Sequence, residues 1–98
     1  MSRIFIVYGH HNTKNCFNAS IRDTFIEEAE KLGHEIDLIN LHEEKPIPFF
    51  DGSEPSEQIL DYRSRLEKSD ILFMISPCYN LRATAILENW IDLVLAPK

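Results

Sequence analysis

The chain has 98 residues, of which 44% are hydrophobic, and it sets 16 acidic against 10 basic side chains for a formal net charge of −6. That supports one small domain with one core, and the acidic balance argues against nucleic-acid binding, which needs clustered Lys and Arg. No stretch approaches the roughly 18–20 apolar residues that span a bilayer. Met-Ser-Arg followed by a strand-like run lacks a signal-peptide pattern. Two cysteines, Cys16 and Cys78, are too few for a disulfide scaffold and lack zinc-site spacing, so a cytoplasmic protein with reduced thiols is expected.

Residues 3–8, Arg-Ile-Phe-Ile-Val-Tyr, form an apolar run ended by Gly9, as a buried strand would be. Ile21, Phe25, Ile26, Ala29 and Leu32 then recur at helical spacing, with Asn18 or Ser20 as the cap and Gly33 as the stop. Residues 36–41 make a second apolar run. "HEEKPIPFFDGSEP", residues 42–55, carries three prolines and a glycine, which exclude regular structure over most of its length. Ser56 caps a second helix with Ile59, Leu60, Tyr62 and Leu66 as its apolar positions. Ile71 to Ile75 is the most apolar run, stopped by Ser76-Pro77. A third helix over about 83–95 presents Ile86, Leu87, Trp90, Ile91, Val94 and Leu95.

The order β-α-β-α-β-α across residues 1–98 predicts a single α/β domain with a parallel sheet, because each crossover helix returns the chain to the same end of the sheet. With strand order 2-1-3, ligands bind beyond the carboxyl ends of strands 1 and 3, where the order reverses. Those ends carry the loops 9–17 and 76–82. The first, "GHHNTKNCF", feeds a helix N-terminus and is rich in hydrogen-bonding groups, which fits an anion site, a solvated turn or, less well, a metal site. No glycine-rich nucleotide fingerprint is present, and the adjacent His10 and His11 have no nearby acidic partner. The second loop, "SPCYNLRAT", is either a turn in which Tyr79 packs on Leu81 or a wall for a flat aromatic ligand.

"IFIVYGHHNTKNCFNASIRDTFIEEAEKLGHEIDLINLHEE" resembles the start of the flavodoxin-like NAD(P)H:quinone oxidoreductases, in the modulator-of-drug-activity and potassium-efflux ancillary branch. Tyr8-Gly9-His10 and Cys16-Phe17-Asn18 match that family's Y-A-H and S-F-N. "SDILFMISPCYNLRATAILENWIDLVLAP" continues the match through Pro77, Ala85-Ile86-Leu87, Trp90-Ile91-Asp92 and Val94-Leu95. "SPCYN" is also similar to a motif of the NADPH-dependent FMN reductases.

The resemblance implies a flavodoxin-like three-layer α/β/α fold and a bound FMN or FAD. It implies two-electron hydride transfer from NAD(P)H, through the flavin, to a quinone or similar acceptor. The flavin phosphate would lie among His10, Asn12, Thr13, Cys16, Phe17 and Asn18, and the isoalloxazine against Pro77, Cys78, Tyr79 and Asn80. No metal is implied, and no residue is assigned a catalytic role.

Departures are the Tyr79-Asn80 pair for two aromatics, Thr84 for a proline and Cys16 for a serine. Family members also continue with further strands after this point. Strand 3 would then be an open apolar edge that invites pairing, so a homodimer, or else adhesion to a missing C-terminal portion, is expected, whether the chain is a fragment or a half-domain. The alternatives are a non-catalytic flavodoxin-like module that binds a partner or assembles, and an inactive fragment. A response-regulator-like domain is disfavoured, because strand 1 is not followed by an acidic pair nor strand 3 by the expected Asp.

Overall fold

Three parallel strands, β1 (Arg3–Tyr8), β2 (Glu35–Asn40) and β3 (Ile71–Ile75), form one sheet in the order β2-β1-β3. The structure, a computed structural model, describes residues 2–12, 14, 16–44, 56–77 and 83–95. Its helices are α1 (Phe17–Lys31), α2 (Leu41–Glu44), α3 (Glu57–Glu67) and α4 (Ala85–Val94). The first crossover runs from β1 to one side, and the second passes back over β1 to the other. Right-handed connections in opposite directions put their helices on opposite faces. This is the expected three-layer arrangement.

β1 is central and buried on both faces, and alternation along it divides the core. Ile4, Ile6 and Tyr8 pack with Ala19, Ala29 and Ile75 beneath α1. Phe5 and Val7 pack with Ile39, Leu41, Ile59, Tyr62, Leu87 and Trp90 beneath the other helices. The Phe5 and Trp90 rings meet edge-on at 5.9 Å. Full burial of such a side chain contributes about 1.5–3 kcal/mol.

Helix ends follow local chemistry. Gly33 adopts φ 88°, and the amides of Gly33 and His34 return to the carbonyls of Glu30 and Ala29, closing α1 in the glycine-dependent manner expected. Ser56 caps α3 by accepting from the Ile59 amide. At the start of α1 the cap is neither Asn18 nor Ser20. Cys16 holds that position in extended conformation, and its sulfur accepts from the Ala19 amide.

Other expectations need correction. Ile21, Leu32 and Leu60 are exposed, because each sits at the margin of its helix's apolar stripe, whereas Arg22 is buried. Leu41 leaves β2 and begins α2, a helical turn within a segment read as irregular. α4 is shorter than 83–95, and Leu95 is exposed. Residues 45–55 lie outside those described.

Within β2, Glu35 and Asp37 share the face toward α3, and Asp37 is much the more buried of the two. Its Oδ2 accepts from Arg65 Nε at 3.0 Å, and its Oδ1 from Arg65 Nη2. Arg3 lies 3.6 Å away, and the Arg65 guanidinium covers the Phe5 ring. Arg65 first, and the Arg3 charge after it, hold the Asp37 carboxyl below its ordinary range against the opposing effect of burial. A carboxyl lowered by folding stabilises above its unfolded value, about 3.9, and loses that contribution as pH falls through the folded value. Asp37→Asn should therefore cost roughly 1.5–3 kcal/mol at neutral pH. In urea titrations its deficit against wild type should shrink as pH is lowered below about 4. A deficit unchanged by acid would show that the ion pair is not its source.

Candidate functional site

At the carboxyl end of β1 the start of helix α4 packs directly against the strand. The Gly9 amide donates to the Ile75 carbonyl at 2.8 Å, extending the β1–β3 pairing by one step. A Cβ on Gly9 would lie 2.8 Å from Leu87 Cβ and 3.1 Å from Thr84 Oγ1, so only glycine permits this approach. The buried Thr84 hydroxyl donates to the Gly9 carbonyl at 2.6 Å, and the Thr84 amide donates to Ser76 Oγ at 3.1 Å. One residue before α4 thus joins the segment after β1 to the segment after β3. Thr84 makes no side-chain cap to its own helix, since its hydroxyl is committed to Gly9.

From Gly9 the chain turns back over Tyr8. The Tyr8 hydroxyl donates to the Asn12 carbonyl at 2.8 Å and lies 3.3 Å from Cys16 Sγ. The Asn12 amide donates to His10 Nδ1 at 2.9 Å, and the Lys14 amide donates to Asn12 Oδ1 at 3.0 Å. Asn12 is therefore the hinge of the loop, and Tyr8 is the post it closes on. Burial, then the contact with Cys16, pushes the Tyr8 phenol well above its usual value. The Tyr8 hydroxyl, then the Ala19 amide, lowers the Cys16 thiol. Tyr8 has a single proton to donate. With Cys16 as a thiol that proton goes to the Asn12 carbonyl, and with a thiolate it turns to sulfur.

Arg22 reaches the same place from inside α1. Its guanidinium lies 4.6 Å from the Tyr8 ring centroid, Nη1 donates to Asn40 Oδ1 at 3.0 Å, and Nε donates to Asp23 at 2.9 Å. Arginine is thereby accommodated in a helix face that is otherwise apolar. The His10 and His11 rings stack at 4.4 Å, and His42 of α2 meets His11 edge-on at 6.4 Å. From Gly9 to Arg22 the sequence contains no carboxylate.

Of the residues read from the sequence as a cofactor site, His10, Asn12, Cys16 and Asn18 are brought together around the start of α1, all half-buried. Phe17 belongs to the same turn and is 79% exposed. Pro77 follows the end of β3 beside Ser76, whose hydroxyl donates to its carbonyl. Thr13, Cys78, Tyr79 and Asn80 lie outside the described residues. Sequence reasoning missed Tyr8, Arg22, Asn40, His42 and Thr84 as parts of this site. Tyr8 reads as the last strand residue, and Asn40 and His42 flank Leu41 at a point read as strand end. Arg22 did leave a signal, since it falls three residues after Ala19 on the buried face of α1.

A family profile described as flavodoxin-like fold matches residues 2–98. An FMN-dependent NADH:quinone oxidoreductase of Burkholderia lata is 30% identical, over 96% of this chain and 56% of that protein. An NAD(P)H:quinone oxidoreductase from Methanothermobacter marburgensis superposes with TM-score 0.86 at 21% identity, over 95% of this chain and 52% of that one. An FMN-dependent NADH-azoreductase from Bacillus anthracis, solved in complex with FMN, superposes with TM-score 0.79 at 15% identity, over 100% of this chain and 57% of that one. The chain thus spans little more than half the length of these relatives. It belongs to the flavodoxin-like fold family.

Thr84→Val should test the junction, because it keeps the shape and removes the donor, leaving the buried Gly9 carbonyl unpaired. A loss of about 1–3 kcal/mol in denaturant unfolding is expected, with Thr84→Ser near wild type. Equal stability of all three proteins would refute the role given to this bond.

Proposed function

We propose, from that membership and from the loop at the end of β1, that this chain supplies the FMN-binding part of an NAD(P)H:quinone oxidoreductase. Supporting this are the enzyme names carried by its relatives. The observation that carries it is chemical. The turn into α1 gathers helix N-terminal amides, asparagines, histidines and a lysine, without a carboxylate between Gly9 and Arg22. A phosphate dianion is the ligand such a donor set suits.

His10, Asn12, Thr13, Cys16, Phe17 and Asn18 would hold the phosphate of FMN, with FAD as the alternative flavin. Pro77, Cys78, Tyr79 and Asn80 would lie against the isoalloxazine. The bound flavin supplies two-electron hydride acceptance from NAD(P)H and delivery to a quinone or similar acceptor. The chain's own residues orient and retain it. Thr84 keeps the two loops in register through Gly9 and Ser76, and Tyr8 with Arg22 fixes the Asn12 hinge.

Because α1 is capped by Cys16, Asn18 lies inside the helix, where alanine is the better helix former. Asn18→Ala should therefore weaken FMN binding, measured by quenching of flavin fluorescence, without lowering the melting temperature. Loss of one hydrogen bond to a charged group corresponds to about 1.5–3 kcal/mol, or on the order of tenfold or more in affinity. No quenching of FMN by the wild-type chain at any concentration would overturn the cofactor reading.

Oligomerisation is the second part of the proposal. Among the described residues β3 pairs on the β1 side alone, and its Ile71 and Met74 are 46% and 41% exposed. Such an edge pairs readily, and we assign it either to a second copy of the chain in a homodimer or to further chain of the same protein. Sedimentation at micromolar concentration should give a dimer. A stable monomer that melts cooperatively would reject the assembly while leaving the flavin site to be judged by its own titration.

A further inference from the structure

The three histidines at the carboxyl edge are not needed to build the fold, yet they converge from two separate elements. His10 and His11 come from the segment after β1, and His42 comes from α2, after β2. Their rings form a continuous series, stacked at 4.4 Å and then edge-on at 6.4 Å. His11 and His42 are exposed, and the elements that carry the series are anchored. α2 is anchored by fully buried Leu41, by the Tyr62 hydroxyl donating to Glu44 Oε1, and by Gln58 donating to the Glu44 carbonyl. His10 is tied to Asn12, whose carbonyl is seated on Tyr8.

His10 also has a partner ready for each protonation state. Neutral, its Nδ1 accepts from the Asn12 amide at 2.9 Å. Protonated, the same Nδ1 donates to the Asn12 carbonyl at 3.1 Å. The loop that leads to α1 thus tolerates a charged His10 by exchanging one contact for its neighbour.

We propose that His10, His11 and His42 form one coupled proton-binding unit that takes up a proton when a phosphate ester dianion binds at the start of α1. The inference rests on the flavin-phosphate reading and adds a regulation to it, in which binding tightens as pH falls through the histidine range. Without an anion His42 resists charging. His42 is held below its ordinary value by burial first, then by His11 and His10. A dianion beside them reverses that balance, and linkage then requires proton uptake on binding.

Charged groups on the neighbouring elements include Lys14 on the loop, Arg22 and Asp23 on α1, Glu43 and Glu44 on α2, Glu57, Asp61, Arg63 and Arg65 on α3, and Glu88 on α4. Arg22 is paired with Asp23 and Asn40, Arg63 with the end of α4, Arg65 with Asp37 and Asp61, and Glu44 with Tyr62. The Cys16 thiol, lowered by the Tyr8 hydroxyl and then the Ala19 amide, is a further titratable group at the site, and comparison with a histidine variant that keeps Cys16 separates the two contributions.

The test compares FMN with riboflavin, which lacks the phosphate, on wild type and on His11→Asn/His42→Asn. Between about pH 8 and about pH 6.5, wild-type affinity for FMN should rise about fivefold or more relative to the double variant, within the tenfold per pH unit that one proton permits. Protonation of the FMN phosphate itself, near pH 6, acts equally on both proteins and cancels in the comparison. Riboflavin affinity should show no such difference. In the free chain, His11→Asn should raise the NMR titration midpoint of His42.

Parallel pH profiles for FMN in wild type and variant would overturn the inference and leave the flavin site standing. An unmoved His42 midpoint would also overturn it, whether or not FMN binds. Failure of FMN to bind at every pH would overturn the proposed function and this inference with it.

Discussion

Thr84 reaches the Gly9 carbonyl because Gly9 carries no side chain, and the rest of the carboxyl edge depends on that approach. It brings the start of α4 down onto the end of β1 and carries the segment after β3 with it through Ser76. The far end of α4 is held as well, since Arg63 donates to the carbonyls of Leu93 and Val94. Between these two ends Trp90 is fully buried against Phe5 and Tyr62. A helix fixed at both termini and in its middle cannot slide along the sheet. The ends of β1 and β3 that flank the topological switch point are therefore set by the core.

Much of this fold was legible in the sequence, for a specific reason. β1 and β3 are near-continuous apolar runs, and a strand buried between helical layers needs no polar face. Gly33 and Ser56 were legible because a left-handed stop and a hydroxyl cap belong to the ordinary chemistry of helix ends. The start of α1 was misread because its cap is a thiol, a weak acceptor that sequence patterns do not weigh. Cys16 serves there because the Tyr8 hydroxyl and the Ala19 amide together compensate for sulfur's weakness. Leu60 and Leu32 were misread for the opposite reason, since a hydrophobic residue at helical spacing does not have to be inside.

The site was legible at the level of loops and less so at the level of contacts. Polar residues in sequence from His10 to Asn18 mark the segment proposed to hold a ligand, and position alone carries that reading. What holds them in place comes from residues that periodicity assigns to other duties. Tyr8 counts as core, and its ring is core, but its hydroxyl is the anchor of the loop. Arg22 counts as a charged residue on an exposed face, but a guanidinium stacked on that ring and bonded to Asn40 is content at 7% exposure. Pairwise contacts of this kind depend on which strands become neighbours, and a single chain read from one end to the other does not display that.

The two ends of the sheet are polar in different ways, and the difference bears on function. At the amino end and along the α3 face the charges are mutually neutralised. Arg3 and Arg65 meet Asp37, and the Arg3 amide and carbonyl close a ring of bonds with Asp70. Apart from Arg3 Nε, which is buried without a hydrogen-bond partner among the described residues, such groups are satisfied and offer a ligand little. At the carboxyl end the segment from Gly9 to Arg22 presents amides, imidazoles and a thiol with no carboxylate among them. An anion arriving there finds donors whose present partners are weak or exchangeable, such as the sulfur of Cys16 and the Nδ1 of His10. Trading a neutral acceptor for a charged one strengthens each hydrogen bond it touches. Charges are thus paired at one end, and donors outnumber good acceptors at the proposed binding edge. A phosphate at that edge would complete the local hydrogen bonding without disturbing the ion pairs that hold the sheet together.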